Sequence, residues 1–299
     1  MADIVNNDGE GGEEIEDIDE LEKYNDDDDN EVLGSIGFMF DAEHEKIRKE
    51  IIFNNDIDND NDNNEIKIIL NTIGDDPGHV QSGQYVWPAS IASGNYFLSI
   101  ASSLLIKQCY RNGCVLELGA GCGLAGLLIS KFDNINTVIF TDYDHGTLQL
   151  LYENVIINND IYKDKNISDN IIRCIDNDNV KKTYIIDYLE WGKDIPKWDN
   201  YINIIIGADL LYCSDVVEPL IKTVSKVFKH NDDILLKKFN DDNNKLEKSL
   251  FILVSSFDTG NDVENEMIRC LNLYGFKSTI IQELIGNHCK IQHIELNMK

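Results

Sequence analysis

A glycine-rich stretch, VLELGAGCGLAG at 115–126, combines residue types that favour ligand binding. We predict that a strand ends at Leu118 and that a helix begins near Gly123, which places Gly119 and Gly121 in the turn between them. Glycine lacks a Cβ atom, so the chain can turn tightly there and a ligand can approach its backbone. The N-terminus of the following helix offers unpaired N–H groups and positive dipole character, which suit a carboxylate as well as a phosphate. The stretch therefore predicts a ligand-binding loop.

Two carboxylates next to this loop narrow the class of ligand. Glu117 lies two residues before the first glycine, where it can receive hydrogen bonds from a cofactor's ammonium group or from N–H groups of the loop. Loops of this kind also bind dinucleotides, but Glu117 would repel the pyrophosphate of a nicotinamide cofactor. Asp142 ends the next predicted strand, within FTDYD at 140–144, where it can accept hydrogen bonds from both hydroxyls of a ribose. Asp144 is a weaker candidate for the same role.

A third carboxylate, Asp209, directly follows the apolar run INIIIGA at 202–208. A carboxylate at the end of a buried strand is costly unless it has partners, so we expect Asp209 to belong to a site. Tyr212 lies three residues further on and is either a site residue or a core residue. The adjacent Cys213 has no base partner in the sequence, so we do not predict it to be a nucleophile.

The elements that must position these residues alternate between strands and helices. The predicted strands are 114–118, 138–141, 184–188, 202–208, 250–255, 277–282 and 290–296, and the predicted helices are 90–106, 123–131, 146–158, 216–229 and 262–274. This alternation indicates a mostly parallel sheet with helices on both faces, and the unbroken apolar strands fit a sheet that is buried on both sides. The last two strands, joined by a loop that contains Gly286, fit an antiparallel C-terminal hairpin. The predicted fold class is a Rossmann-like, seven-strand α/β domain.

Five motifs together resemble methyltransferase family 16. They are YVWPAS (85–90), VLELGAGCGLAG (115–126), FTDYD (140–144), LEWG (189–192) and GADLLYC (207–213), and the resemblance covers about 85–299. It implies a class I methyltransferase that uses S-adenosyl-L-methionine. The family contains protein lysine methyltransferases whose substrates include Hsp70-type chaperones, the valosin-containing ATPase and elongation factors. ADLLYC and the closing region look most similar to the elongation factor 2 lysine methyltransferase branch.

The resemblance also implies which residues contact the cofactor. Trp87, within the WPAS segment, would close over it. Gly119, Ala120 and Gly121 would line it with their backbones. Asp142 would hold the ribose. These roles follow from the family's motifs at the matching positions of this chain.

The later motifs supply the rest of the implied site. Trp191 would pack against the adenine, and Ala208 would form the floor of the cofactor pocket. Asp209 and Tyr212 would form a DxxY motif beside the methyl group that is transferred, with Asp209 guiding the arriving ammonium. Each tryptophan could instead be a plain core residue, and Trp198, which has no motif around it, is interpreted as core or surface.

Charge divides the chain into segments. Lys and Arg number 26 against 54 Asp and Glu, a formal net charge of -28, and residues 1–30 hold 14 of the acidic side chains. We predict that 1–30 is a disordered acidic tail, because such a segment cannot bury enough apolar surface to fold. Residues 31–84 are predicted to be an N-terminal extension or hairpin, with 43–52 a strand or a short helix, and 85–299 the methyltransferase domain. The Asn/Asp tracts at 54–64, 158–180 and 230–245 are predicted to be solvated loops.

Composition also bears on partners and compartment. The acidic balance argues against nucleic acid, because phosphate contacts need Lys and Arg, and it favours a basic partner. No apolar run approaches about 18 residues, so no membrane span is expected. Seven cysteines without a CxxC pair, and six scattered histidines, indicate neither a disulfide framework nor a metal site. We expect a monomer in the cytosol, with a lysine-bearing protein as its substrate.

The sequence leaves three other functions open. The first is methyl transfer to another acceptor, such as a protein histidine, a protein N-terminus or a small metabolite, because the fold does not choose among acceptors. The second is a binding module that keeps the fold without catalysis, against which Glu117, Asp142 and Asp209 argue. The third is a nicotinamide-dependent oxidoreductase, which Glu117 opposes.

Overall fold

The computed structural model of the protein describes most of the predicted domain and parts of the region before it. The described residues are 2–6, 46–54, 65–73, 82–100, 113–159, 170–176, 179–238, 249–283 and 289–297. In chain order they form β1 (Ala2–Asn6), β2 (Lys46–Asn54), β3 (Glu65–Ile73), α1 (Pro88–Ile100), β4 (Gly113–Leu118), α2 (Leu124–Ile129), β5 (Ile135–Asp142), α3 (His145–Ile157), β6 (Ile171–Asp176), β7 (Asn179–Tyr188), β8 (Ile204–Ala208), α4 (Val217–Lys238), β9 (Leu250–Ser255), α5 (Gly260–Tyr274), β10 (Phe276–Gln282) and β11 (Lys290–Leu296). Short 3-10 turns lie at Ser82–Gln84 and Ser214–Val216.

The central sheet has the predicted mostly parallel architecture. Its strand order is β10-β11-β9-β8-β4-β5-β7-β6, and β9, β8, β4, β5 and β7 are parallel to one another. The predicted C-terminal hairpin is confirmed, because β10 pairs antiparallel with β11, which inserts antiparallel beside β9. All seven predicted strands are present.

The sheet is buried on both faces because its apolar strands supply side chains to two cores. Val115 points into a cluster with α1, α2 and α3, whereas its neighbour Leu116 points into a second cluster with α4 and α5. Successive residues of a strand face opposite sides, so an unbroken apolar run feeds both cores. Among the described helices none combines the length and the apolar character needed to cross a bilayer.

The structure corrects the predicted loops at two of the Asn/Asp tracts. An eighth strand, β6, pairs antiparallel with β7 at the sheet edge, and β7 itself starts at Asn179. Four of the six residues of β6 (IIRCID) are apolar, but the Asn/Asp-rich sequence around them indicated a loop. Helix α4 continues to Lys238. Its Asn231 is buried, but the amide accepts a hydrogen bond from Ile202 N at 2.8 Å and donates to Ile202 O at 2.7 Å, so burial costs little.

The N-terminal region forms a second, three-stranded sheet. Within the ambiguous segment 43–52, the described residues 46–52 belong to a strand, because β2 pairs antiparallel with β3. Strand β1 pairs antiparallel with β2, with Ile4 opposite Ile51, so the prediction of disorder over 1–30 is wrong for Ala2–Asn6. The backbone of β1 pairs with the edge of β2, and composition alone does not reveal such pairing. Residues 7–30, residues 31–41 of the predicted N-terminal extension or hairpin, the end of helix 90–106 and the loop around Gly286 lie outside the described residues.

Two asparagines, Asn154 in α3 and Asn158 directly after it, attach this sheet to the main core. Asn158 accepts from Ile69 N at 2.8 Å and donates to Ile69 O at 2.5 Å. One turn earlier, Asn154 accepts from Asn71 N at 2.7 Å and donates to Asn71 O at 3.1 Å. The two amides pair with the edge of β3 as a neighbouring strand would, so this edge is covered. Asn154 also donates to Cys122 O at 3.1 Å, which links the sheet to the glycine-rich loop.

We predict that Asn154→Ala lowers the free energy of unfolding by about 3 kcal/mol, because it leaves the part-buried N–H and C=O of Asn71 and the buried C=O of Cys122 without these hydrogen bonds. Urea denaturation followed by circular dichroism measures the change. Gln149→Ala, on an exposed position of the same helix, is the control and should change stability little. Equal midpoints for Asn154→Ala and the wild type would show that this bridge does not hold the two sheets together.

Candidate functional site

One cavity of about 720 Å³ opens at the carboxyl ends of β4, β5, β7 and β8. Every site residue predicted from sequence lines it: Trp87, Glu117, Gly119, Ala120, Gly121, Asp142, Trp191, Ala208, Asp209 and Tyr212. Parallel strands bring their carboxyl ends to one edge of a sheet, which explains how residues far apart in sequence meet here.

The glycine loop follows β4, and its glycines adopt the left-handed conformation. Gly119 and Gly121 have φ of 55° and 54°. A Cβ atom on Gly121 would lie 2.6 Å from Gly83 O, and one on Gly119 would lie 3.1 Å from Trp191 Cζ2. The sequence predicts that glycine at these two positions leaves room for a ligand. The structure shows that the space beside these two residues is taken by protein groups, so the glycines also let the Ser82–Gln84 turn clamp the loop.

Helix α2 is shorter than predicted and begins with buried residues only. It spans Leu124–Ile129, after Gly123 at φ 80°. The N–H of Gly126, in its first turn, donates to Glu117 Oε2 at 2.9 Å. One N–H group that the sequence suggested for a ligand is therefore used by Glu117.

Glu117 is almost fully buried beneath the loop, with 3% of its surface exposed. Burial raises the pKa of its carboxyl to about 8, against the lowering effect of the Gly126 N–H, and the negative charge of Asp142 raises it further. With no ligand charge nearby, the carboxyl is largely protonated at neutral pH. A positive charge entering the cavity would favour its ionised form.

Asp142 holds the loop by hydrogen bonds. Its Oδ2 accepts from Gly121 N at 3.1 Å, and its Oδ1 accepts from Tyr143 N at 2.8 Å and Asp144 N at 3.1 Å. Burial raises its pKa, while these three N–H groups lower it. A carboxylate oxygen can accept more than one bond, so Oδ2 retains capacity for a hydroxyl. Asp144 instead caps α3 by accepting from Thr147 N at 2.7 Å.

Asp209 has a backbone conformation that is unusual for its residue type. Its φ of 54° makes it the single non-glycine residue with positive φ among the described residues. Its Oδ1 accepts from Ser256 N at 2.7 Å, and its Oδ2 accepts from Ser256 Oγ at 2.7 Å and from Ala89 N at 3.1 Å. Such strain costs about 1–3 kcal/mol and tends to be kept at functional sites. Asp209 therefore ties the start of α1 to the end of β9.

Two of the three tryptophans lie at the cavity. The carbonyl of Trp87 accepts from Ser90 N at 3.0 Å and Ser90 Oγ at 2.6 Å, and Pro88 follows as the first residue of α1, where its missing N–H costs nothing. Trp191 packs against Gly119. Trp198 is a core residue, since it is buried and its Nε1 donates to Asp187 Oδ2 at 2.6 Å.

Tyr212 lies at the mouth of the cavity and is 64% exposed, so it is not the core residue that the sequence left open. Partial burial of the phenol raises its pKa, and the phenol of Tyr143, the thiol of Cys213 and the carboxylate of Asp142 add to the effect. The phenol is therefore protonated at neutral pH. It can donate or accept a hydrogen bond, but it is not a base.

Sequence reasoning missed several residues of the cavity wall. Tyr143, Tyr188 and Phe257 line it, each at or just after the end of a strand, and Ser256 supports Asp209 from the end of β9. The rule that the carboxyl ends of parallel strands build the site could have identified them from the predicted strand ends. Gly83, in the turn before α1, carried no signal in the sequence.

The described residues that line the cavity include no Lys, Arg or His. They include six acids, which are Glu117, Asp142, Asp144, Glu190, Asp209 and Asp215. This charge distribution suits a positively charged occupant and opposes a phosphate. The volume of the cavity is within the range of about 300–1,000 Å³ that is common for small-molecule sites.

Comparison with known proteins identifies a matching family. The family model described as "Lysine methyltransferase" matches residues 63–257, which is more than half of the chain. "EEF1A lysine methyltransferase 3" of Xenopus tropicalis is 28% identical over 139 residues, covering 46% of this chain and 50% of that protein. "Protein-lysine N-methyltransferase EEF2KMT" of Homo sapiens is 28% identical over 120 residues, covering 40% of this chain and 34% of that protein.

These alignments span about half or less of the curated relatives' own length. Their equal identities do not favour one elongation-factor branch over the other. Among solved structures, a putative RNA methyltransferase from Pyrococcus horikoshii is 17% identical with a TM-score of 0.41, covering 77% of this chain and 94% of that chain.

We predict that Gly121→Ala destabilises the protein by about 2–4 kcal/mol, because an alanine must adopt positive φ and its Cβ meets the carbonyl of Gly83. Gly275→Ala is the matched control, since Gly275 also has positive φ but no atom lies within 4 Å of its added Cβ. That variant should lose only about 1–2 kcal/mol. Thermal unfolding of both variants measures the difference, and equal losses would show that Gly83 does not clamp the loop.

We predict that Glu117→Gln gains stability relative to the wild type as pH rises from about 5 to 8. The pKa of Glu117 is about 8 in the folded protein, above its usual 4.5, so the native state binds the proton more tightly. The contribution of this proton to the free energy of unfolding of the wild type is fully present below pH 4.5. It decreases as pH rises towards 8, by up to about 1.4 kcal/mol per pH unit. Urea titrations of both proteins at several pH values test this; a constant difference would contradict it.

Proposed function

The chain belongs to the lysine methyltransferase family, and from that premise we propose that it transfers a methyl group from S-adenosyl-L-methionine to the side-chain amine of a lysine in a protein substrate. The observation that carries the proposal is the charge of the cavity, with six acids and no Lys, Arg or His among the described lining residues. Both the cofactor, which bears a sulfonium and an ammonium group, and a lysine substrate bring positive charge to it.

The residues around the cavity fit this cofactor. Asp142 would accept hydrogen bonds from the ribose, and Trp191 would pack against the adenine, where an aromatic face adds about 0.5–1.5 kcal/mol. Glu117 would become ionised next to the cofactor's positive charge. Trp87 would close over the cofactor from the start of α1, and Ala208 at the end of β8 would leave space for it.

The backbones of Gly119, Ala120 and Gly121 would complete the cofactor contacts. Asp142 already fixes the loop through Gly121 N, so the loop is arranged before the ligand arrives. Such preorganisation saves the free energy of ordering the loop on binding.

The cofactor supplies the electrophilic methyl group, so the protein's task is placement and electrostatics. A free lysine amine has a pKa of about 10.4 and arrives charged, which the acidic cavity favours. The amine must then release its proton to solvent before its nitrogen attacks the methyl group. Burial and a nearby positive charge both lower its pKa. Tyr212, a protonated phenol at the mouth, would accept a hydrogen bond from the neutral amine and orient it, since alignment supplies much of the rate enhancement.

The substrate class is a narrower proposal. The relatives named for EEF1A and EEF2 support an elongation factor as a candidate substrate, and a chaperone is the alternative within the same class of protein acceptors. A monomeric state, a cytosolic location and the lack of nucleic-acid binding stay predictions that rest on composition.

We predict that Asp209→Asn lowers methyl transfer by at least about 100-fold while the affinity for S-adenosyl-L-methionine changes little. Asparagine tolerates the left-handed backbone, but its Nδ2 cannot accept the bond from Ala89 N, so this variant removes the charge together with that hydrogen bond. Transfer from labelled cofactor into a lysate of the source cells, with mass spectrometry of the labelled protein, measures activity. Asp199→Asn makes the same charge change at an exposed position outside the cavity and should keep activity.

Label on lysine, lost only in Asp209→Asn, would support the proposal. Normal turnover by Asp209→Asn would remove Asp209 from the mechanism. Cofactor binding without label on any protein would instead favour a small-molecule acceptor or a non-catalytic module, and label on histidine or an N-terminus would change the acceptor.

A further inference from the structure

Three tyrosines surround the mouth of the cavity, and we call them the tyrosine rim. Tyr143 and Tyr212 are each 64% exposed and Tyr188 is 46% exposed, and all three line the cavity. Tyr143 follows β5, Tyr212 follows β8, and Tyr188 is the last residue of β7, so the three come from separate strand ends. Large exposed aromatic side chains that gather around one opening are typical of an interaction site.

Neighbouring contacts hold the rim in place. The backbone of Tyr143 is fixed by its N–H bond to Asp142 Oδ1, and the next residue, Asp144, caps α3. The ring of Tyr188 stacks on His145, with centroids 5.0 Å apart and planes 20° from parallel. The backbone of Tyr143 and the ring of Tyr188 are thus held in place before any partner binds, which reduces the entropy cost of docking.

The charge around the rim selects the kind of partner. Asp144, Glu190 and Asp215 line the same cavity, and Glu190 and Asp215 are exposed. Glu190 is loosely paired with Lys193 Nζ at 3.9 Å, so its charge is partly compensated. Aromatic faces attract ammonium and guanidinium groups, and nearby carboxylates add to that attraction. An apolar segment would bury these carboxylates without a counter-charge, and a phosphate would be repelled. The combination therefore fits a basic segment.

The surface continues away from the mouth in one direction. Asp215 and Pro219 line both the cavity and a second depression between α4 and α5, where Asp262 also lies. The described lining of that depression has four acids, Asp215, Glu218, Asp262 and Glu266, against two cations, Lys222 and Arg269, and Arg269 is paired with Glu218 and Glu266, so the net charge of the lining stays negative. A segment that leaves the cavity over Asp215 would therefore still meet the carboxylate of Asp262.

We propose that the tyrosine rim, with Asp144, Glu190 and Asp215, is the docking surface for a basic segment of the protein substrate. The target lysine passes between the tyrosines into the cavity, and basic residues beside it lie over Asp215 and along the α4–α5 depression. This inference rests on the proposed methyl transfer to a protein lysine. It adds that the tyrosine rim is the surface that selects the substrate and that the substrate presents a basic segment around the lysine.

The test uses the full chain saturated with S-adenosyl-L-homocysteine and two fluorescein-labelled nonapeptides with a central lysine. One peptide has arginines and glycines as flanks, and the other has glutamates and glycines. Fluorescence anisotropy should show at least tenfold tighter binding of the arginine peptide. The double variant Tyr143→Ala/Tyr188→Ala should weaken that binding at least tenfold, and Asp215→Asn should weaken it about threefold.

Matched variants separate the rim from the general negative charge of the chain. Tyr143→Phe/Tyr188→Phe keeps the aromatic faces and should bind the arginine peptide within about twofold of the wild type. Asp199→Asn changes the same charge as Asp215→Asn away from the cavity and should leave binding unchanged. Equal effects of Asp199→Asn and Asp215→Asn, or unchanged binding by the alanine double variant, would overturn the proposal.

Cofactor affinity, measured for each protein by calorimetry, distinguishes this failure from failure of the proposed function. A wild-type chain that does not bind S-adenosyl-L-methionine would remove the proposed function. A chain that binds it normally, but binds both peptides equally, would remove the docking surface alone. Arginine-peptide preference with intact cofactor binding, lost in the alanine double variant and restored by phenylalanine, supports the proposal.

Discussion

The geometry of the site depends on the carboxylate of Asp209. It receives hydrogen bonds from Ala89 N and from both donors of Ser256, so one side chain joins the start of α1, the end of β8 and the end of β9. The left-handed backbone at Asp209 is strained, and these three bonds offset that strain. Because Trp87 lies directly before α1, the same carboxylate sets how the cavity is closed on that side.

Charge is the second constraint on the molecule. Carboxylates concentrate in the cavity, where the described lining residues include no cation, and the burial of Glu117 favours a proton on one of these carboxylates. Repulsion among these acids opposes the empty state, so a cationic ligand stabilises the fold as well as filling the site. The tyrosine rim extends the same preference to the surface, where aromatic faces and acids meet solvent.

The fold could be predicted largely from strand periodicity, because apolar runs such as those of β4, β8 and β9 are buried on both faces and carry their own signal. Elements at the edges of the two sheets could not be predicted in this way. The short strand β6, the start of β7 and the strand β1 lie in or beside Asn/Asp-rich or acidic sequence and depend on backbone pairing with a neighbour, which leaves little trace in side-chain type. The extent of α4 depended on Asn231, whose burial is acceptable only because Ile202 and Ser249 satisfy its amide.

The sequence by itself determined the class of the site: a glycine loop, an acid before it, an acid after the next strand and an acid after the apolar strand at 202–208, all at strand ends that a parallel sheet brings together. Only the tertiary structure decided what each group does there. It joined Asp209 to Ser256, gave the space beside Gly119 and Gly121 to Trp191 and Gly83, and gathered three tyrosines at the mouth. Those contacts join residues far apart in the chain, and local pattern carries no information about which distant atoms meet.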